Sequence, residues 1–252
     1  MSKLLVLGSS PAAVKAIELI RANDQDIEIT VIIYEGTYPY KRDIFPEVIK
    51  KNASVEDIYC RDKKFYEENK INVIPGQTVT RINLKTRKIY TEEKVQYDFD
   101  QIILAETPQG TKLTSLKGGN KEGIYALRKI QYVDKLIKEL PFYDTVVLES
   151  NTFAGLQAAE ALIKHGKEVY LIVPEDSPFR IVKDDEKREV IQNSLKESKL
   201  HIIDNASIEE ILGDAELKAV RLSSGKVLAA DIVVLGELKD DLKLLAEFGL
   251  NI

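Results

Sequence analysis

The residues best placed for chemistry are Gly8-Ser9-Ser10-Pro11-Ala12-Ala13, with Glu35 further along. A glycine-led turn opening a helix offers backbone N–H groups to a diphosphate, and a carboxylate on the next strand end can hold a ribose hydroxyl. The turn occupies the place of a dinucleotide-binding G-x-G-x-x-G, and it departs from that pattern. Gly8 keeps the sharp exit from the strand. Ser10 stands where a second glycine lets backbone approach the pyrophosphate, so its hydroxymethyl group either obstructs the phosphate or bonds to it. Ala13 replaces the third glycine, where only helix–strand packing is at stake. Glu35 lies somewhat beyond the usual interval of about 20 residues. The alternative is an α/β turn without a ligand.

A second turn, Ser150-Asn151-Thr152-Phe153-Ala154-Gly155, keeps only the packing glycine. Thr152 is β-branched where backbone should meet phosphate. Glu149 adds negative charge beside it. This turn reads as a poor site for NAD(P)H.

The surrounding elements make these turns comparable. Leu4 to Leu7 is a buried strand, Val14 to Ile20 has near-helical apolar spacing, and Ile27 to Ile33 is a second strand, which together form a βαβ unit. From Asp144 the plan recurs, with strand Thr145–Leu148, helix Ala154–His165 and strand Glu168–Val173. Registering Gly8 on Ser150 pairs Ala13 with Gly155 and Ala16 with Ala158. Two such units imply two Rossmann-like domains.

Between them the sequence predicts a loop over 36–46, a helix from Val55 to Asn69, and strands at 71–74, 79–84, 88–91, 96–99 and 101–105. A glycine-bearing polar boundary at 108–123 and a helix from Ala126 to Leu140 follow. After the second βαβ unit come a helix at 183–198, a strand at 201–204, a β-meander through 219–222 and 226–228, and a closing apolar run at 231–236.

Composition narrows the classes. A net charge of −5, with 44% hydrophobic and 31% charged residues, fits a globular protein and argues against nucleic acid or a membrane surface as the main partner. No apolar run approaches the roughly 20 residues that span a bilayer, and the N-terminus has no signal-peptide pattern, so a cytoplasmic location is expected. Cys60 is the single cysteine, excluding internal disulfides and CxxC redox pairs. The two histidines, His165 at a helix end and His201 opening a strand, give no metal site or hydrolytic triad.

The order of parts resembles the FAD-dependent pyridine nucleotide–disulfide oxidoreductase family, within its branch of nitrite reductase large subunits, NADH oxidases and rubredoxin or ferredoxin reductases. GSSPAA with Glu35, YPYKRDIFPEVI, FYEENKINVIPGQTVTRIN, YDFDQIILAET, GIYALRKIQYVDKL, FAGLQAAEALIKHGKEVYLI and SIEEILGDAELKAVRLSSGKVLAADIVVLG carry the resemblance. It implies an α/β chain of two Rossmann-like, three-layer ββα domains. The first spans 1–113 for FAD and the second 114–240 for NAD(P)H, with 241–252 the start of a return segment. It implies that Gly8, Ser9, Ser10, Pro11, Ala12 and Ala13 face the FAD pyrophosphate, Glu35 the ribose and Arg42 the flavin. Val79 would offer backbone to the adenine, and Ala105 would end a strand beside the cofactor. Ser150, Thr152, Gly155 and Gly236 would flank NAD(P)H. No catalytic side chain is implied, because hydride passes from nicotinamide to flavin and on to an acceptor.

Departures accompany the resemblance. Ala105-Glu106-Thr107 stands where the family has Ala-Thr-Gly, and the loop 40–46 has no redox cysteine. The family's strand ending in Gly-Asp and its interface domain lie beyond a segment like 246–250, whereas this sequence stops at Ile252. The expectation is a first domain short of its final strand, covered by a partner polypeptide or a second copy. Two readings stay open: a divergent flavoprotein oxidoreductase, and a non-catalytic relative serving as a binding or structural subunit.

Overall fold

A computed structural model describes residues 2–105, 116–150, 152–174 and 198–236, with 186, 189, 190 and 193 in addition. The described residues fall into two compact units. One holds 2–41 and 56–105, the other 42–55 and 116–236.

The first unit is built on a parallel sheet. Strand β1 (Lys3–Leu7) leads through helix α1 (Pro11–Asn23) to β2 (Glu28–Ile33). With β3 (Ile71–Pro75) and β7 (Gln101–Leu104) these strands lie in the order β3-β2-β1-β7. Between β3 and β7, strands β4 (Val79–Asn83), β5 (Lys88–Thr91) and β6 (Gln96–Asp98) form an antiparallel meander.

Alternation along β1 divides the core in two. Leu4 and Val6 join Ala13 and Ile17 of α1 and Tyr66, whereas Leu5 and Leu7 join Val79, Ile89 and Phe99 on the meander side. The sheet is thus covered on both faces, as its unbroken apolar strands require. Burying each such side chain stabilises the fold by about 1.5–3 kcal/mol.

The second unit repeats the plan. Strand β9 (Thr145–Glu149), helix α5 (Phe153–Lys164) and strand β10 (Glu168–Val173) continue to β11 (Leu200–Asp204). A meander of β12 (Ile208–Leu212), β13 (Ala219–Leu222) and β14 (Val227–Ala229) leads to β15 (Ile232–Leu235). The parallel order is β11-β10-β9-β15-β8, where β8 is Ile124–Ala126. Val147, Ile172 and Val233 pack on Ile208, Val220, Leu222 and Leu228 of the meander. Each unit is therefore a three-layer ββα domain of the expected class.

Four local expectations are corrected. Ala126 ends a strand, and helix α4 runs Ile130–Glu139. The stretch 55–69 is broken: a single 3-10 turn at Glu56–Ile58 is followed by helix α3 (Lys63–Glu68), whose N-cap is Asp62, its carboxylate accepting the Phe65 N–H at 2.9 Å. Cys60 sits buried in the break, its N–H bonded to Pro39 O. The segment 36–46 is not all loop, because helix α2 (Phe45–Ile49) starts within it. Residues 42–55, expected within the first domain, belong to the second unit, where α2 packs on α4 and α5. Lys50 Nζ joins Glu47 at 2.9 Å and Glu160 at 2.8 Å there, and the His165 ring bonds Ile49 O.

Glu106 and Thr107, Asn151, most of 183–198 and the return segment 241–252 lie outside the described residues. Among the described residues no helix is long and apolar enough to cross a membrane.

Candidate dinucleotide sites

In the first unit, Gly8 carries φ 122°, which only glycine adopts readily, and its N–H reaches Ile32 O at 3.0 Å. Ser10 is the N-cap of α1 and Pro11 its first residue, both favourable there. The Ser10 hydroxyl is turned into the fold. It donates to Ala105 O at 3.0 Å and accepts the Ala13 N–H at 3.3 Å. The side chain thereby stitches the turn to the end of β7. Ser9 and Ala13 are buried, while Pro11 and Ala12 are exposed at the helix start. The first turn of α1 carries no acidic residue.

Glu35 lies just past β2, only 7% exposed, and its Oε2 accepts the hydroxyl of Tyr40, itself 1% exposed. The Glu35 backbone oxygen takes the Gly76 N–H at 2.9 Å. Around Gly36 there is open space, since a Cβ there would meet nothing within 4 Å. Val79 begins β4, buried. The first unit thus gathers Gly8–Ala13, Ala105, Glu35 and Val79. Arg42 falls in the second unit, where its Nε donates to Arg128 O at 2.8 Å.

The second turn is closed on itself. Ser150 N–H reaches Ile172 O at 3.1 Å, the counterpart of the Gly8 bond. The Ser150 side chain, 3% exposed, lies between two glycines. A Cβ on Gly155 would stand 2.1 Å from Ser150 Oγ, and one on Gly236 would stand 2.7 Å from Ser150 Cβ. Ser150 Oγ accepts the Thr152 N–H at 3.2 Å and bonds the Thr152 hydroxyl at 3.1 Å. Thr152 Oγ1 in turn caps α5 by accepting the Gly155 N–H at 3.3 Å. The Gly155 N–H is capped as the Ala13 N–H is in the first turn, but here the Thr152 N–H is also taken by the Ser150 hydroxyl, and a branched side chain sits where backbone should be bare. This turn does not fit a pyridine dinucleotide.

Glu149 does not point its charge at the turn. Its carboxylate folds back to accept the Ile208 N–H, and burial raises its pKa against that opposing bond. The sequence reading missed this contact and that of Tyr40. The first joins two strands remote in sequence, whereas the phenol five positions after Glu35 was visible in the sequence.

Two ββα units, each with a glycine-marked turn between its first strand and helix, define a two-domain dinucleotide-binding architecture. The family model for pyridine nucleotide-disulphide oxidoreductases matches residues 2–249, so the chain belongs to that family, as the motif resemblance implied. It is 27% identical over 236 residues to an NAD(P)H nitrite reductase of Bacillus subtilis strain 168, covering 92% of this chain and 29% of that protein. It is 23% identical over 252 residues to an assimilatory nitrate reductase electron transfer subunit of the same organism, covering 99% of this chain and 33% of the relative. The chain thus spans about a third of the length of these curated relatives. Among solved structures, putidaredoxin reductase in covalent complex with putidaredoxin superposes with a TM-score of 0.87 at 20% identity, covering 100% of this chain and 62% of that one. At that identity the likeness speaks for the fold alone.

Proposed function

We propose that the first unit carries FAD, that the chain forms part of an electron-transferring flavoprotein, and that its second unit binds NAD(P)H poorly. The observation that carries this reading is the contrast between the two turns. Both helices are capped by a hydroxyl and neither has an acid in its first turn, but in the first unit the turn opens on bare Gly8 and the Ser10 hydroxyl also ties back to Ala105 O. In the second, Ser150 and Thr152 fill the space themselves.

In this reading the α1 N-terminus orients the diphosphate and Glu35 holds the adenosine ribose, with Val79 beside the adenine. Bound FAD supplies the redox chemistry, accepting two electrons and passing them on. The chain's own residues bind, orient and shield it. No hydride step is assigned to the second turn. An electron-transfer-subunit relative favours a protein as acceptor.

A second reading, a non-catalytic scaffold, draws support from the same closed second turn. The visible spectrum of the purified chain separates the two. A flavin band that survives desalting, or returns on adding FAD, supports the first reading. Colourless protein that cannot be reconstituted supports the second. NADH and NADPH titrations should give only weak binding, which replacing Ser150 and Thr152 by glycine should strengthen. Tight binding to the unaltered chain would refute the closed-turn part.

A further inference from the structure

We propose that Tyr40 is a positioning residue, its buried hydroxyl fixing the Glu35 carboxylate in the orientation from which it grips the ribose diol of an adenine nucleotide. This rests on the flavin reading above.

A glutamate at a strand end has several side-chain rotations to settle before it can accept from a ligand, and a buried carboxylate oxygen needs a donor of its own. Tyr40 meets both needs, donating to Oε2 from a position that is 1% exposed. Tyr40 is itself held by backbone. Lys41 N–H reaches Ile58 O at 2.8 Å and Cys60 N–H reaches Pro39 O at 2.9 Å, forming an antiparallel bridge between Tyr40 and Tyr59. Thr37 Oγ1 bonds Tyr59 OH at 3.0 Å. From the other side, Gly76 N–H fixes the Glu35 backbone oxygen. The carboxylate is therefore ordered before any nucleotide arrives, which removes an entropic cost of binding.

The test is competition of ADP and of 2′,3′-dideoxy-ADP against FAD on the full chain, followed by flavin fluorescence. The unaltered protein should prefer ADP by about tenfold, the size of one hydrogen bond to a charged acceptor. Tyr40→Phe should reduce that preference to about twofold, as should Glu35→Gln, and the double variant should lose nothing further. A general loss of structure lowers both ligands together and leaves the ratio intact, so an unchanged ratio in Tyr40→Phe overturns the proposal. If Tyr40→Phe does not fold, Glu35→Gln is compared with Glu35→Gln/Tyr40→Phe. Equal preference supports the proposal, and a further drop overturns it by showing that Tyr40 acts otherwise than through Glu35. An unaltered chain that binds neither FAD nor ADP removes the flavin reading itself.

Discussion

Adding one methyl group at Gly155 tests how the second turn is packed. A Cβ there would lie 2.1 Å from Ser150 Oγ and 2.3 Å from Ser150 Cβ, well inside contact distance. Ser150 has little room to yield. It is buried, it faces Gly236 on its other side, and its hydroxyl is engaged by Thr152. Overpacking of this kind costs about 1–3 kcal/mol, and displacing the Ser150 hydroxyl adds about 1 kcal/mol per hydrogen bond. Gly155→Ala should therefore cost about 3 kcal/mol. The first unit carries the complementary pair, Gly8 with Ala13, so Ser150→Gly/Gly155→Ala moves the volume from one side of the contact to the other. Unlike Gly8, Ser150 does not adopt a positive φ, so glycine is tolerated there without being required. Chemical denaturation of the four proteins of this cycle should show Ser150→Gly recovering most of the loss, with a coupling of about 2 kcal/mol. Simple additivity of the two substitutions would refute the account of Ser150, Gly155 and Gly236 as one interlocked contact.

Two further outcomes follow from single side chains. Ser10→Gly restores the motif residue yet removes the bonds to Ala105 O and the Ala13 N–H, so stability should fall by about 1–2 kcal/mol in denaturant titrations. FAD affinity should not rise, and a clear gain would show that the hydroxymethyl group obstructs the phosphate after all. Glu149 is an acid whose pKa is raised in the fold above its ordinary 4.5, so ionising it costs stability as pH rises through the folded value. Glu149→Gln keeps an acceptor for the Ile208 N–H. It should raise the thermal midpoint at neutral pH and leave it unchanged below about 4.5. A gain of the same size at both pH values would refute the assignment.

The parallel sheets were legible because strands covered on both faces read as short, unbroken apolar runs, and β10 matched to the residue, as did β5 of the first meander from its alternation. Helix α5 was equally clear from its spacing and the glycine after it. The strand β8 was not, since three apolar residues after Gly123 carry no period and take their extended form from pairing with β15. Cys60 was misplaced for a related reason: the helical pattern of 55–69 is real on both sides of it, but backbone bonding to Pro39 wins locally. Of the candidate site, Gly8 and Glu35 were readable as types at a spacing. What Ser10 and Ser150 do was not, because a hydroxyl's partner is chosen by whichever strand end the fold brings alongside. The bond from Arg42 to Arg128 O was equally hidden, because the two residues are remote in sequence.

The membership of 42–55 in the second unit has a consequence for synthesis. These residues leave the ribosome long before the helices they pack against exist, so Phe45, Val48 and Ile49, all buried in the finished protein, must wait without their cover. A fragment cut near residue 113 would carry the same apolar strip permanently bare and would be prone to aggregate. The two halves are interleaved in sequence, and no single cut releases either of them whole.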